Sequence, residues 1–151
     1  MYILTFMPHD FTDIHDCTCN NLRKAARAVT QYYDGALRPA GIRATQFSLL
    51  SAIREFGTVS IGTLAEESVM DRTTLTRNLK LLEDEGLVTI AAGEDARVRE
   101  VSLTPAAQEK LGVAIRYWRK AQLQMATRMG NDGVRHLLRA LSGAVEAARS
   151  D

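Results

Sequence analysis

The sequence predicts a mainly α-helical chain interrupted once by a small β-hairpin. Three observations carry that expectation. Apolar residues recur at helical spacing over most of the chain, as in Leu22, Ala25, Ala26, Val29, Tyr33, Ala36 and Leu37. Alternation at period two is confined to two runs, Leu87-Val88-Thr89-Ile90 and Arg99-Glu100-Val101-Ser102-Leu103, separated by the polar, glycine-containing AAGEDARV. Caps and breakers stand between the helical stripes and set where each helix begins and ends.

Pro39-Ala40-Gly41 closes the long first helix. A second starts after Thr45, read as its cap, carries Phe47, Leu49, Leu50 and Ile53, and ends at Gly57 with positive φ. Ser60 caps a short helix holding Ile61, Leu64 and Ala65. Asp71 caps a longer one holding Leu75, Leu79 and Leu82, which Gly86 ends. After the hairpin, Thr104-Pro105 supplies a cap and a proline at the first helical position, where its missing N–H costs nothing. The next helix repeats Leu111, Ile115, Trp118, Gln122, Met125 and Met129 at alternating steps of four and three, a heptad pattern. Gly130-Asn131-Asp132-Gly133 reads as a break, and Val134, Leu137, Leu138, Leu141, Val145 and Ala148 form the stripe of a last helix.

Composition bounds what such a chain does. With 151 residues, 46% hydrophobic and 25% charged, it is long enough for one domain with a real core. No run of eighteen apolar residues exists, and the start MYILTFMPHDF has neither a basic segment nor a long apolar stretch. Neither a membrane span nor a signal peptide is therefore expected, and a cytoplasmic location is. Cys17 and Cys19 sit too close together for an ordinary unstrained bridge, which argues against a secreted disulfide scaffold. Net charge is +1, but residues 44–96 carry 4 basic and 9 acidic side chains against 10 and 5 in 97–151. The middle of the chain is no blanket polyanion binder, so any nucleic-acid contact comes from a few placed side chains.

The element order places a winged helix-turn-helix, about 44–104, between long helices, about 14–38 and 105–149, in a single domain spanning 1–151. The helix opened by Asp71 carries the chemistry. Arg72, Thr73, Thr74, Thr76, Arg77 and Lys80 lie along its solvent side while the leucines anchor the other. The major groove of B-DNA admits one helix, arginine pairs bidentately with guanine, and threonine contacts bases, phosphates or thymine methyls. The acidic Glu83-Asp84-Glu85 falls at the end away from DNA. The plainer reading is an amphipathic surface helix in a protein-interaction module without DNA binding. An enzyme is disfavoured, because no nucleophile–base pair, phosphate loop or firm metal spacing is visible and the three histidines are scattered. No cofactor is expected.

The chain resembles the MarR family of bacterial transcription regulators over nearly its full length. The residues that carry the resemblance are Leu64-Ala65-Glu66, Asp71-Arg72-Thr73-Thr74-Leu75-Thr76-Arg77, Leu82-Glu83 with Gly86-Leu87-Val88, and Asp95-Ala96-Arg97 followed by Val101-Ser102-Leu103-Thr104. The resemblance implies that Arg97 enters the minor groove with Asp95 holding its guanidinium. Independently, narrow minor grooves concentrate negative potential that attracts arginine. It also implies a repressor released by a signal that changes the spacing of its recognition helices. A ligand pocket is implied between the dimer helices and the winged domain, with Tyr33, Phe47 and Trp118 as candidate walls or else plain core. The terminal stripes exceed what one winged domain covers, and a two-fold dimer matches a palindromic operator in double-stranded DNA.

Two departures from the family pattern stand out. Ser68-Val69 replaces the usual leucine-glycine, so that turn is either less sharp or locally strained, because valine resists positive φ. Ala107 replaces a glycine, which alters helix propensity and hardly function. The stretch HDCTCNNLRK raises a separate question. Cys-x-Cys suits a metal poorly on a helix, since positions i and i+2 face different sides, and no metal is expected. In the organic-peroxide-sensing branch of the family the reactive cysteine matches Cys19, counted back from Gln46, and Tyr33 matches one of two thiol-partner tyrosines. Ala44 stands where the other would be. A helix start, with Arg23 and Lys24 nearby, favours a reactive thiolate. The alternative for Cys17 and Cys19 is an inert or pocket-lining role.

Overall fold

The computed structural model describes residue 11 and residues 13–150. The N-terminal stretch 1–10, where no leader is expected, lies outside the described residues. Six α-helices and three short strands follow one another in the described part: α1 (Thr18–Leu37), α2 (Ala44–Phe56), β1 (Val59–Ser60), α3 (Ile61–Glu67), α4 (Arg72–Asp84), β2 (Val88–Ala92), β3 (Arg99–Leu103), α5 (Pro105–Met129) and α6 (Asn131–Arg149). A 3₁₀ turn over Ile14–Asp16 precedes α1. No described helix is long and apolar enough to cross a membrane.

The local capping chemistry is realised at three of the four expected starts. Ser60 Oγ accepts from Thr63 N–H at 3.0 Å, Asp71 Oδ1 from Thr74 N–H at 2.9 Å, and Thr104 Oγ1 from Ala107 N–H at 3.2 Å. Thr104 Oγ1 also donates to the Gly86 carbonyl at 2.7 Å, which pins the end of α4 to the start of α5. Thr45 is the exception. Helix α2 begins two residues earlier, at Ala44, with Arg43 in place of Thr45 as its cap residue. Its first N–H groups are satisfied by Gln46 Oε1, 3.1 Å from Arg43 N, and by Asp34 Oδ1 of α1, 2.7 Å from Ala44 N. A side chain from another helix thus decides where α2 starts.

The ends of α3 and α4 are the same motif built from different residues. At α4, Gly86 has φ 71°, Leu87 N–H donates to the Leu82 carbonyl at 2.8 Å, and Gly86 N–H to that of Glu83 at 2.9 Å. At α3, Met70 N–H donates to the Ala65 carbonyl at 2.9 Å and Val69 N–H to that of Glu66 at 3.1 Å, with Val69 at φ 51°. Both are left-handed helix stops that favour glycine. The turn between α3 and α4 is therefore sharp, and Val69 carries the strain. Its side chain is 57% exposed, so little packing is lost with it. Val69→Gly should stabilise the fold by about 1 kcal/mol, the cost of a branched residue in the left-handed region less the entropy of glycine. An unchanged or lower denaturant midpoint would contradict this.

The sheet has the order β1-β3-β2, all antiparallel. The hairpin pairs Val88 with Leu103, Ile90 with Val101 and Ala92 with Arg99. The two-residue β1, which the sequence did not signal, adds Val59 opposite Val101 and Ser60 opposite Glu100. The core joins Leu37, Phe47, Leu50, Ile53, Leu64, Leu75, Leu79, Leu82, Val101 and Leu111 in one cluster. In α5 the buried line runs through Ala107, Leu111, Ala114 and Ala121. Of the predicted heptad only Leu111 is buried, while Met129 is exposed. Small residues on this inner face let α1 and α2 approach α5 closely. The break before the last helix is Gly130 alone, and Asn131, Asp132 and Gly133 are already helical.

Candidate nucleic-acid interface and effector crevice

Helix α4 presents two chemically distinct faces. Leu75, Leu79 and Leu82 are buried, whereas Arg72, Thr73, Thr74, Thr76, Arg77 and Lys80 are all exposed. The exposed residues are not equivalent. Thr74 Oγ1 donates to Asp71 Oδ2 at 2.6 Å, so its hydroxyl hydrogen serves the cap. That bond, followed by the one from Thr74 N–H, holds the Asp71 carboxyl below its ordinary value. The cap is accordingly complete above the carboxylate pKa of the unfolded chain and is lost only as pH falls through the lowered folded one. Lys80 Nζ lies 2.9 Å from Asp84 Oδ1 and 3.2 Å from Glu83 Oε2, which draws its charge toward the C-terminal end of α4. These are surface pairs of small energy. Arg77 makes no hydrogen bond or ion pair among the described residues.

The hairpin tip closes over six residues, with Gly93 N–H donating to the Val98 carbonyl and Val98 N–H to that of Asp95, each at 2.8 Å. Asp95 Oδ1 accepts from Arg97 N–H at 3.0 Å and from Arg97 Nε–H at 3.3 Å. The expected Asp95–Arg97 contact is thus present in the free chain. The Arg97 side chain is nevertheless 92% exposed, which leaves the far edge of its guanidinium open.

Tyr33, Phe47 and Trp118 come together from α1, α2 and α5. With Val29, Leu37 and Ser48 among the other walls they line a cavity of about 230 Å³. The Phe47 and Trp118 rings stack with centroids 6.0 Å apart and planes at 26°. Tyr33 donates its hydroxyl to Gln122 Oε1. Burial, and secondarily Tyr32, pushes the Tyr33 phenol above its ordinary value. A neighbouring space of about 370 Å³ shares Thr30, Ala44 and Ser48 with this crevice and reaches Ser68 and Met70 in the turn and Asn78 on α4. Sequence reasoning passed over Asn78 and Tyr32 and took Gln122 only as a member of the heptad line. Tyr32 Oη donates to the Ala121 carbonyl at 3.1 Å and lies 3.0 Å from Gln124 Oε1, so the two tyrosines tie α1 to α5. The one available signal was Gln122, a polar residue in an apolar heptad line.

Cys17 caps α1 with an extended backbone, φ −61° and ψ 112°, and Cys19 lies exposed in the first helical turn. Both thiols are free. The structure does not bring Tyr33 to Cys19 within one chain, since they stand fourteen residues apart on the same helix, about 21 Å along its axis. No group of three or more metal-ligating side chains occurs among the described residues.

A two-faced helix at the end of a tight turn, a wing with an open arginine and long helices from both ends make up a winged helix-turn-helix protein. The sequence profile of the MarR family matches residues 40–98. The chain is 39% identical to the Mycobacterium tuberculosis transcriptional regulator MosR in its complex with DNA, with 89% of this chain and 99% of that one covered and a TM-score of 0.78. It is 30% identical over 91 residues to the Bacillus subtilis HTH-type transcriptional regulator YwoH, spanning 60% of this chain and 66% of that protein. A cysteine-to-serine mutant of Escherichia coli MarR complexed with operator DNA shares the fold at a TM-score of 0.76 and 21% identity, over 83% and 91% of the two chains. The chain belongs to the MarR family of transcription regulators. These relatives are regulators and not enzymes.

Proposed function

We propose that the chain acts as a homodimeric repressor in the cytoplasm, placing two α4 helices in successive major grooves of a pseudo-palindromic operator and two wings in the flanking minor grooves. The observation that carries this reading is the division of α4 into a buried leucine face and an exposed face of threonines and unpaired arginine, beside a wing whose Arg97 is held by Asp95 yet open. One helix fits a major groove, and a two-fold protein matches half-sites about one helical turn apart. The dimer is supported by α6, in which no residue is buried within the single chain although Leu137, Leu138, Leu141 and Val145 run along it. A small apolar effector fits the crevice between Tyr33, Phe47 and Trp118. Filling it would push α1 and α5 away from α2, and through the adjoining space bear on Asn78 of the recognition helix. A gel shift with DNA from beside its own gene, with competitor and a salt series, tests the reading. In that assay Arg97→Ala should weaken binding without unfolding the protein, more on A·T-rich than on G·C-rich flanks. Equal affinity of wild type and variant on both flanks would remove Arg97 from the interface.

A second reading concerns the signal. Cys17 stands outside the helix on an extended backbone, directly before the first turn of α1 that carries Cys19. In this reading the Cys19 thiolate reduces an organic hydroperoxide to the alcohol and becomes a sulfenic acid. Cys17 of the other subunit, or of the same subunit through a strained bridge, then condenses with it to a disulfide and water. Cys19→Ser should retain operator binding in reducing buffer and lose the release that hydroperoxide causes in the wild type. If wild-type affinity stays constant while its thiol is demonstrably oxidised, the signal is a small molecule instead.

A further inference from the structure

Gly62 lies in the first turn of α3, and Arg72 is the first residue of α4. A Cβ built on Gly62 would stand 2.8 Å from Arg72 Nη2 and 3.6 Å from Arg72 Cζ, with Ser60 Oγ 3.9 Å away on another side. The guanidinium therefore occupies the space that any side chain at position 62 would take. Gly62 is unlike the glycines elsewhere in the helices: around Gly35, Gly112 and Gly143 nothing lies within 4 Å of such a Cβ, and around Gly133 only ordinary contact does. Glycine weakens a helix, so its presence in the seven-residue α3 asks for a reason, and room for Arg72 supplies one.

The placement separates Arg72 from the other polar residues of α4. In helix-turn-helix docking the start of the second helix enters the groove while the first helix crosses the backbone. A guanidinium reaching from the start of the second helix back over the start of the first lies at the edge of the groove, where a phosphate strand passes. Arg72 is exposed, and it has no hydrogen bond or ion pair among the described residues, so its donors are open to phosphate oxygens. We propose that Gly62 is a positioning residue for DNA binding: by lacking a side chain it lets Arg72 lie against α3 as a phosphate clamp, distinct from the base-reading part of α4. The inference rests on the DNA-binding reading above.

The test is Gly62→Ala beside Arg72→Ala and the double variant. Affinity is measured by fluorescence anisotropy on a duplex from beside the protein's own gene and on a mixed-sequence duplex of equal length, across a potassium chloride series. Arginine has a flexible end, so Gly62→Ala should leave thermal stability unchanged or raised while displacing the guanidinium. Each single variant should weaken binding to both duplexes by on the order of tenfold. Each should also make the slope of log affinity against log salt shallower by about 2, one phosphate per half-site at about 0.9 each. The double variant should bind no more weakly than Arg72→Ala. Wild-type affinity in Gly62→Ala would overturn the inference alone, as would losses that multiply in the double variant or fall on one duplex only. A wild type that binds neither duplex at low salt would sink the DNA-binding reading and this inference with it.

Discussion

In the proposed homodimer, the double substitution Leu138→Glu with Leu141→Glu should convert dimer to monomer and reduce operator affinity by about two to four orders of magnitude. In the single chain Leu138 is 55% and Leu141 37% exposed on α6, and Leu123, 70% exposed, adds to the uncovered apolar surface on α5. Monomeric proteins rarely leave an apolar stripe of this kind uncovered, which is why the proposed dimer is placed on this face. Two-fold symmetry presents each residue twice, so the variant places four carboxylates in one interface. An unpaired carboxylate there costs several kcal/mol after relaxation, more than the leucine burial it replaces. The winged domain should survive, because its core of Leu50, Leu64, Leu79 and Val101 does not include α6. The loss in affinity follows from severing two half-site contacts that otherwise act as one bivalent contact. Sedimentation velocity and operator titration read the two effects separately. A variant that stays dimeric with intact affinity would show that α6 is not the interface.

What the sequence made legible divides by the range of the interaction. Ser60, Asp71 and Thr104 cap their helices because each reaches an N–H three residues on, a contact contained in four residues of chain. The strain at Val69 was open to the same kind of reasoning, since a helix stop fixes the sign of φ whatever surrounds it. The start of α2 was not, because Asp34 of α1 supplies the acceptor. Strand β1 was hidden for the same reason: two residues carry no periodicity, and its partners Glu100 and Val101 lie forty residues on. In α5 the heptad reading followed the large residues, yet close packing in a three-helix junction selects the small ones, Ala107, Ala114 and Ala121. Ala107 is therefore a packing residue as well as a helix former. At the interface, residue type pointed to α4 and Arg97. It did not show that Thr74 is engaged by Asp71, that Lys80 is drawn toward Asp84, or that Arg72 fills the space above Gly62. Those differences arise from side-chain geometry between neighbours in space.

Arg77→Ala should cost about 1–3 kcal/mol on the operator, roughly five- to a hundred-and-fiftyfold in affinity, and relax the base preference at one position per half-site. Arg77 lies in the second turn of α4, on the face opposite Leu75, Leu79 and Leu82, so the packing that fixes those leucines also fixes where it points. No carboxylate engages it among the described residues, in contrast to Lys80 with Asp84 and Arg97 with Asp95. Its five donors are thus free for a planar acceptor pair, and guanine O6 and N7 supply one at the spacing a guanidinium matches. The substitution removes an exposed side chain and should leave the denaturation midpoint where it was. Arg77→Lys should restore phosphate-like attraction and salt dependence but not the lost preference, because an ammonium is a point charge without the planar fork. The decisive comparison is between the operator and an operator changed at a single base pair per half-site. In the wild type one such change should weaken binding as much as Arg77→Ala does, and in the variant it should make no further difference. If Arg77→Ala weakens binding equally on operator and mixed-sequence DNA, the arginine grips phosphate, and base selection by α4 falls to its threonines.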